Sequence, residues 1–160
     1  MDIDKHVIIV NGNNTTNLTI DIEPIKNVLS IKHIEMNAVL SSSTPANDIK
    51  KVYIFLNDYK LKTLYDNNEH SLGTPVFGNL VFKPDASHTT YQADSVNSGI
   101  ISDFRADNQN YVFNPMLGEL NRLKISFKEY NTIGELVDIT LKEFSMELCI
   151  YSSRAKLTML

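Results

Sequence analysis

The sequence predicts an all-β fold, an antiparallel β-sandwich of about eight strands. Three observations carry that expectation. Apolar and polar side chains alternate with period two in Leu123-Lys124-Ile125-Ser126-Phe127-Lys128 and again in Phe144-Ser145-Met146-Glu147-Leu148-Cys149-Ile150-Tyr151, as strands with one buried face require. Clusters of Asn, Asp, Ser, Gly and Pro separate such stretches at near-regular spacing. Helical periodicity is scarce: between Lys60 and Glu69, Leu61, Leu64 and Tyr65 suit either one helical turn or an irregular loop.

Taken in order, His6-Val7-Ile8-Ile9-Val10 is an apolar run that ends at Asn11-Gly12-Asn13-Asn14, and Asn-Gly is a strong hairpin-turn signal. Leu18-Thr19-Ile20-Asp21-Ile22 then alternates and stops before Pro24, so the two runs are expected to pair as an opening hairpin. From Val28 to Leu40, Leu29 and Ile31 share one phase, whereas Ile34, Met36, Ala38 and Leu40 share the other. A β-bulge near Lys32-His33 accounts for the change. Ser41 to Asp48 reads as a loop. Val52-Tyr53-Ile54-Phe55-Leu56 is apolar on both faces and is expected to lie centrally between layers, ended by Asn57-Asp58.

Val76 to Phe82 reads as a strand interrupted at Gly78. Lys83 to Asn110 is polar, with short strands expected at Thr89 to Ala93 and Gly99 to Phe104. Tyr111-Val112-Phe113 leads into the two alternating strands, which are expected to pair with each other across a turn region from Asn131 to Asp138. Leu123, Ile125, Phe127, Phe144, Met146 and Leu148 should then share one core, with Lys124, Ser126, Ser145 and Glu147 directed away. Residues 1–152 read as one domain. Residues 153–160, Ser153 to Leu160, mix basic with large apolar side chains and read as a frayed end or a docking arm.

A chain of 160 residues, 42% hydrophobic and 21% charged, is large enough to bury a core without disulfides or metals. Its net charge of −4 and pI near 5.5 do not attract a polyanion, so no nucleic-acid partner is expected. Lys50, Lys51, Lys60 and Lys62 are interspersed with Asp48, Asp58 and Asp66 and make no basic patch. Cys149 stands alone, which rules out an intrachain disulfide. The N-terminus lacks the apolar core of a signal peptide, and Val7 to Val10 is too short to cross a bilayer, so no membrane insertion is expected. Asn13, Asn14 and Asn17 begin Asn-x-Thr sequons but read as turn residues.

Phosphate-cradling loops, nucleophile elbows and paired-cysteine zinc motifs are absent from the sequence. His6, His33, His70 and His88 are scattered through four segments without ligand spacing. Asp21 and Glu23 would face the same way on a strand and could hold a hard cation, but they read more simply as a solvated strand face. Cys149 lies in a strand, with no helix N-terminus to activate its thiol, and reads as structural. Tyr59, Tyr65 and Tyr91 sit in or near expected loops, where tyrosine stacks on sugars or meets protein; the lack of Trp favours protein. No enzymatic activity, catalytic residue, cofactor or metal is expected.

Asn114-Pro115, Leu120-Asn121-Arg122-Leu123-Lys124-Ile125-Ser126-Phe127, Gly134-Glu135-Leu136-Val137-Asp138 and Phe144-Ser145-Met146-Glu147-Leu148 follow one another in a telling order. The arrangement resembles the C-terminal end of the single jelly-roll minor capsid and penton proteins of large double-stranded DNA viruses and their virophages. Pro24-Ile25-Lys26-Asn27-Val28 and Ile34-Glu35-Met36-Asn37 add a second match, with Met36 where that family often has proline. The resemblance implies a single jelly roll and a structural virion protein. Its role there would be a penton, five copies closing a vertex, or a minor protein cementing capsomers.

Homo-oligomerisation, contacts with neighbouring capsid proteins and residence in the virion capsid after assembly in the host cytoplasm follow from the same resemblance. Partner contacts would come from Ser41 to Asp48, Leu61 to Ser71 and Pro84 to Asn110, and from the arm, with Arg154 and Lys156 set against acidic sister copies. The alternative is a monomeric β-sandwich that binds carbohydrate or peptide in an aromatic-lined hollow.

Overall fold

The computed structural model describes residues 2–40, 50–65, 73–84, 91–94 and 111–154. They form ten strands and no helix: β1 (Ile3–Thr15), β2 (Asn17–Leu40), β3 (Lys50–Leu56), β4 (Lys62–Leu64), β5 (Thr74–Val76), β6 (Gly78–Pro84), β7 (Tyr91–Asp94), β8 (Tyr111–Tyr130), β9 (Leu136–Asp138) and β10 (Leu141–Ser153). Every pairing is antiparallel, and the all-β expectation holds.

Eight strands form one curled sheet in the order β1, β10, β2, β7, β6, β3, β8, β9, and a further pairing of β2 with β8 draws it round on itself. The long β2 makes this possible. Its early part, Asn17 to Ile31, lies along β8, while its late part, from Val28, lies along β10 and ends beside β7. Between the two parts the pairing with β8 slips around Pro24 and again after Val28, and Asn27 takes a left-handed φ of 55°. Asn tolerates that conformation better than other side chains, and Asn14 and Asn57 do the same elsewhere.

The two halves of the chain consequently pair in nested order: β1 with β10, early β2 with β8, late β2 with β7, and β3 with β6. Two rows result, β1, β10, late β2, β7 and early β2, β8, β3, β6. Their apolar faces meet in one core, where the rings of Phe127 and Phe144 touch edge to face at 5.1 Å. The curl is consistent with a β-sandwich.

Two expected pairings do not form. The first is the opening hairpin: β1 runs straight through Asn11 and Gly12, which pair with Ser145 and Phe144 of β10, and the chain turns only at Thr16. Gly12 serves close approach instead of a turn, since a Cβ there would collide with the Phe144 ring and stand 2.7 Å from Thr15 Oγ1. The second is the pairing of the Leu123 and Phe144 strands. β10 lies between β1 and β2, whereas β9 folds back along Lys128 to Tyr130 of β8. Placing β8 and β10 face to face buries both alternating patterns in a single core, which edge-to-edge pairing alone would leave half uncovered.

That core holds the side chains expected of it. Leu123, Ile125, Phe127, Met146 and Leu148 are at most 1% exposed and Phe144 is 4% exposed, while Lys124 is exposed and Ser126, Ser145 and Glu147 are half-buried. Each such large apolar side chain stabilises by roughly 1.5–3 kcal/mol through burial. The bulge in β2 is also present: the register with β10 slips by one residue between Glu35 and His33. The Val76 to Phe82 run is interrupted as expected, but at Phe77, one residue before Gly78, which opens β6 and pairs with Ile54.

β3 corrects the reading of a strand packed between layers. Val52, Ile54 and Leu56 are buried, but Tyr53 and Phe55 on the other face are half-buried, covered by the Tyr130 ring at 5.7 Å and by Lys128 Nζ at 6.0 Å. Side chains, not a further layer, shield that face among the described residues. Within Lys60 to Glu69, Lys62–Leu64 pairs as β4 with β5, so no helical turn forms over the described part. The loop Ser41 to Asp48, the strand expected at Gly99 to Phe104, His70, His88 and residues 155–160 lie outside the described residues, as do the side chains of His33, Lys62 and Tyr91.

Candidate assembly surface

Pairing of β6 with β7, at Lys83 with Gln92 and Pro84 with Tyr91, joins the two rows along one margin. At the other margin the rows part. There β1 and early β2 each lack a neighbour on one edge among the described residues. A short corner, Thr15-Thr16-Asn17, links them, tied to the residue just before β10 by a 2.6 Å hydrogen bond between the Thr16 and Thr140 hydroxyls. An open cleft of about 610 Å³ lies between the strands, lined by His6, Val7, Ile8, Ile22, Glu23, Pro24 and Ile25. Pro24 has no N–H to offer, so early β2 is a poor template for pairing there.

β1 presents the opposite character. Its inward positions, Asp4, His6 and Ile8, are half-buried, and His6 Nε2 lies 2.9 Å from Ser152 Oγ of β10. Of its outward positions, Ile3, Val7 and Ile9 are 56%, 48% and 61% exposed, and Lys5 stands exposed between Ile3 and Val7. A strand with an unpaired edge and an outer row apolar at three of four positions is a template for another chain, most of all past Lys5, at Val7 and Ile9. The sequence signal for this surface is the uninterrupted run Val7-Ile8-Ile9-Val10, apolar on both faces; read as half of a hairpin, its open edge went unnoticed.

The far end of β10 lies beside the start of β1. Ser153 pairs with Ile3, the Arg154 amide donates to the Asp2 carbonyl at 2.9 Å, and the Arg154 guanidinium grips the Asp4 carboxylate through both Nε and Nη2. Hydrogen bonding from Arg154 holds the Asp4 carboxyl below the usual carboxylate range. Arg154 is thereby engaged within its own chain.

The remaining candidates have ordinary structural roles. Asp21 forms a 2.7 Å ion pair with Arg122 across the β2 and β8 strands, Glu23 lines the cleft, and the described residues contain no group of three His, Cys, Asp or Glu able to hold a metal. Cys149 is buried, and its hydrogen bond with Tyr151 raises that phenol above its usual range. Tyr59 is half-buried, stacked on Tyr111 at 4.8 Å and edge-on to Phe113 at 5.0 Å, and its burial pushes the phenol up. Its ring is occupied in packing. Tyr65 is exposed, and Lys51 and Lys60 stand at opposite ends of β3.

No family model matches the chain, and no curated protein matches it either. Among the described residues no helix is long and apolar enough to cross a membrane.

Proposed function

We propose that this chain is a structural capsid protein, a single jelly roll that takes a fixed place in an icosahedral shell as the penton or as a minor capsid protein. The nested pairing supports the jelly-roll reading, because a long antiparallel hairpin rolled into two four-strand rows yields the paired Greek keys of that architecture. Such a fold serves many functions, so the architecture alone does not select this one. The observation that carries the assignment is the outward row of Ile3, Val7 and Ile9 on the open edge of β1. A protein built to be surrounded by neighbours leaves that kind of surface bare when isolated.

Sedimentation velocity of the purified chain, alone and mixed with the major capsid protein from the same source, tests this. A closed oligomer, five copies for a penton, or co-sedimentation with capsomers is the expected result. A chain that remains monomeric at all concentrations, binds a glycan and ignores capsid protein would overturn the proposal.

A further inference from the structure

We infer that the open edge of β1 accepts an added strand, and that the strand is Ala155 to Leu160 of a second copy of this chain. The inference rests on the oligomeric reading above and names the contact that would build it. Three observations lead to it.

The first is the seat itself: an unpaired strand edge among the described residues, flanked on one side by Val7 and Ile9 and on the other by the cleft with Glu23. Strand addition uses such an edge, with main-chain hydrogen bonds for affinity and alternate side chains for specificity. The second is the pattern of the segment. Over Ala155 to Met159 the segment alternates, so an extended form sets Ala155, Leu157 and Met159 on one face and Lys156 and Thr158, followed by Leu160, on the other. In that register the apolar pair covers Val7 and Ile9, and Lys156 turns toward the cleft between β1 and early β2. Six extended residues span about 20 Å, the length of β1 from Lys5 to Val10.

The third observation selects a second copy over the chain's own edge. β10 delivers the segment on the paired side of β1, where Arg154 is fastened to Asp2 and Asp4. Reaching the opposite edge of the same strand means crossing two strand spacings, about 9–10 Å, and reversing direction. The segment contains no Gly, Pro, Asn or Asp to make that reversal. Carried straight on, it leaves its own subunit and meets a neighbour.

The test is hydrogen exchange at the β1 amides of the full chain, read with sedimentation velocity, for the unaltered protein and for Leu157→Asp/Met159→Asp. A second variant, Lys156→Pro/Thr158→Pro, removes strand donors without adding charge. The unaltered chain should oligomerise with slowed exchange between Lys5 and Ile9. Both variants should lose the oligomer and that protection together while keeping the melting temperature of the isolated subunit. An oligomer whose β1 amides exchange freely, or one that survives both variants, overturns this inference and leaves the capsid reading standing. Protection in a monomer, or a variant subunit that melts early, places the segment within its own subunit and also overturns it. A permanent monomer with free β1 exchange overturns both proposals.

Discussion

β1 and β10 are both 13 residues long and pair with each other along nearly their whole length, yet seven residues of β10 are buried against two of β1. Their sequences do not foretell the gap. Val7-Ile8-Ile9-Val10 is more apolar than any four consecutive residues of β10, but β10 has β1 on one edge and β2 on the other, and Tyr151 beside Cys149 on its outer face. Among the described residues β1 has a neighbour on one edge only. Burial follows the number of neighbours a strand acquires, and for β1 that number is completed only by another molecule if the assembly proposed above forms.

The sharpest way to break this comparison is to place the same charge on each strand. Leu148→Asp buries a carboxylate without a partner and is expected to remove several kcal/mol, a large share of the roughly 5–15 kcal/mol that sustains a domain. Ile125→Asp in the facing β8 should do the same. Val7→Asp, set on the exposed row, should cost about 1 kcal/mol or less in the isolated subunit while abolishing assembly. Thermal unfolding followed by circular dichroism, beside sedimentation, separates the two. If Val7→Asp unfolded the subunit, β1 would belong to the core.

A smaller effect tests whether the two rows are joined chiefly by their rings. Phe144→Ala should cost about 3–5 kcal/mol, and its double-mutant cycle with Phe127→Ala should show a coupling of roughly 0.5–1.5 kcal/mol from the edge-to-face contact. Chemical denaturation provides the measurement. Additive losses would mean that the rings fill the core independently.

Two glycines offer a finer comparison along the same lines. Gly12 of β1 sits beneath the Phe144 ring of β10, so Gly12→Ala must displace that ring and should cost roughly 1–3 kcal/mol. Gly118 of β8 has nothing within 4 Å of an added Cβ, and Gly118→Ala should be neutral within about 0.5 kcal/mol. Equal melting temperatures for the two variants would contradict the close approach of β1 to β10.

The least effect is expected at the junction of Asp4 with Arg154. The folded Asp4 carboxyl titrates below its unfolded value, so its contribution is present at neutral pH, where both forms are ionised by choice. It is lost as the pH falls below the ordinary carboxylate range and through the lowered folded value. Both groups face solvent, and salt should weaken the pair. Asp4→Asn should therefore lower the melting temperature slightly at neutral pH and low salt, and match the unaltered chain in strong acid. A difference that persisted in strong acid would assign Asp4 a role other than this ion pair.

Much of the fold was legible because period-two alternation records which face of a strand is buried. Leu123, Ile125 and Phe127, and likewise Phe144, Met146 and Leu148, turned inward as their spacing required. The bulge in β2 was equally readable, since only an extra residue reconciles the phase of Ile31 with that of Met36. The capping of β3 by Asn57 was legible too: Asn57 takes a left-handed φ of 48°, and its side chain bonds the Lys124 amide at 2.7 Å.

Pairing partners were not legible. Alternation says nothing about which strand occupies each edge, because the main-chain donors and acceptors are the same for every residue except proline. Local turn chemistry therefore misled at Asn11-Gly12, where the Phe144 ring, 132 positions away, needed the space that glycine leaves. The same indifference put β8 and β10 on facing rows instead of adjacent edges, and left the open side of β1 unseen. From its own residues this chain determined that it would be all β and which side chains would point inward; the tertiary structure alone decided which edges would be matched, since edge pairing is settled by the shape and volume of distant side chains competing for one core.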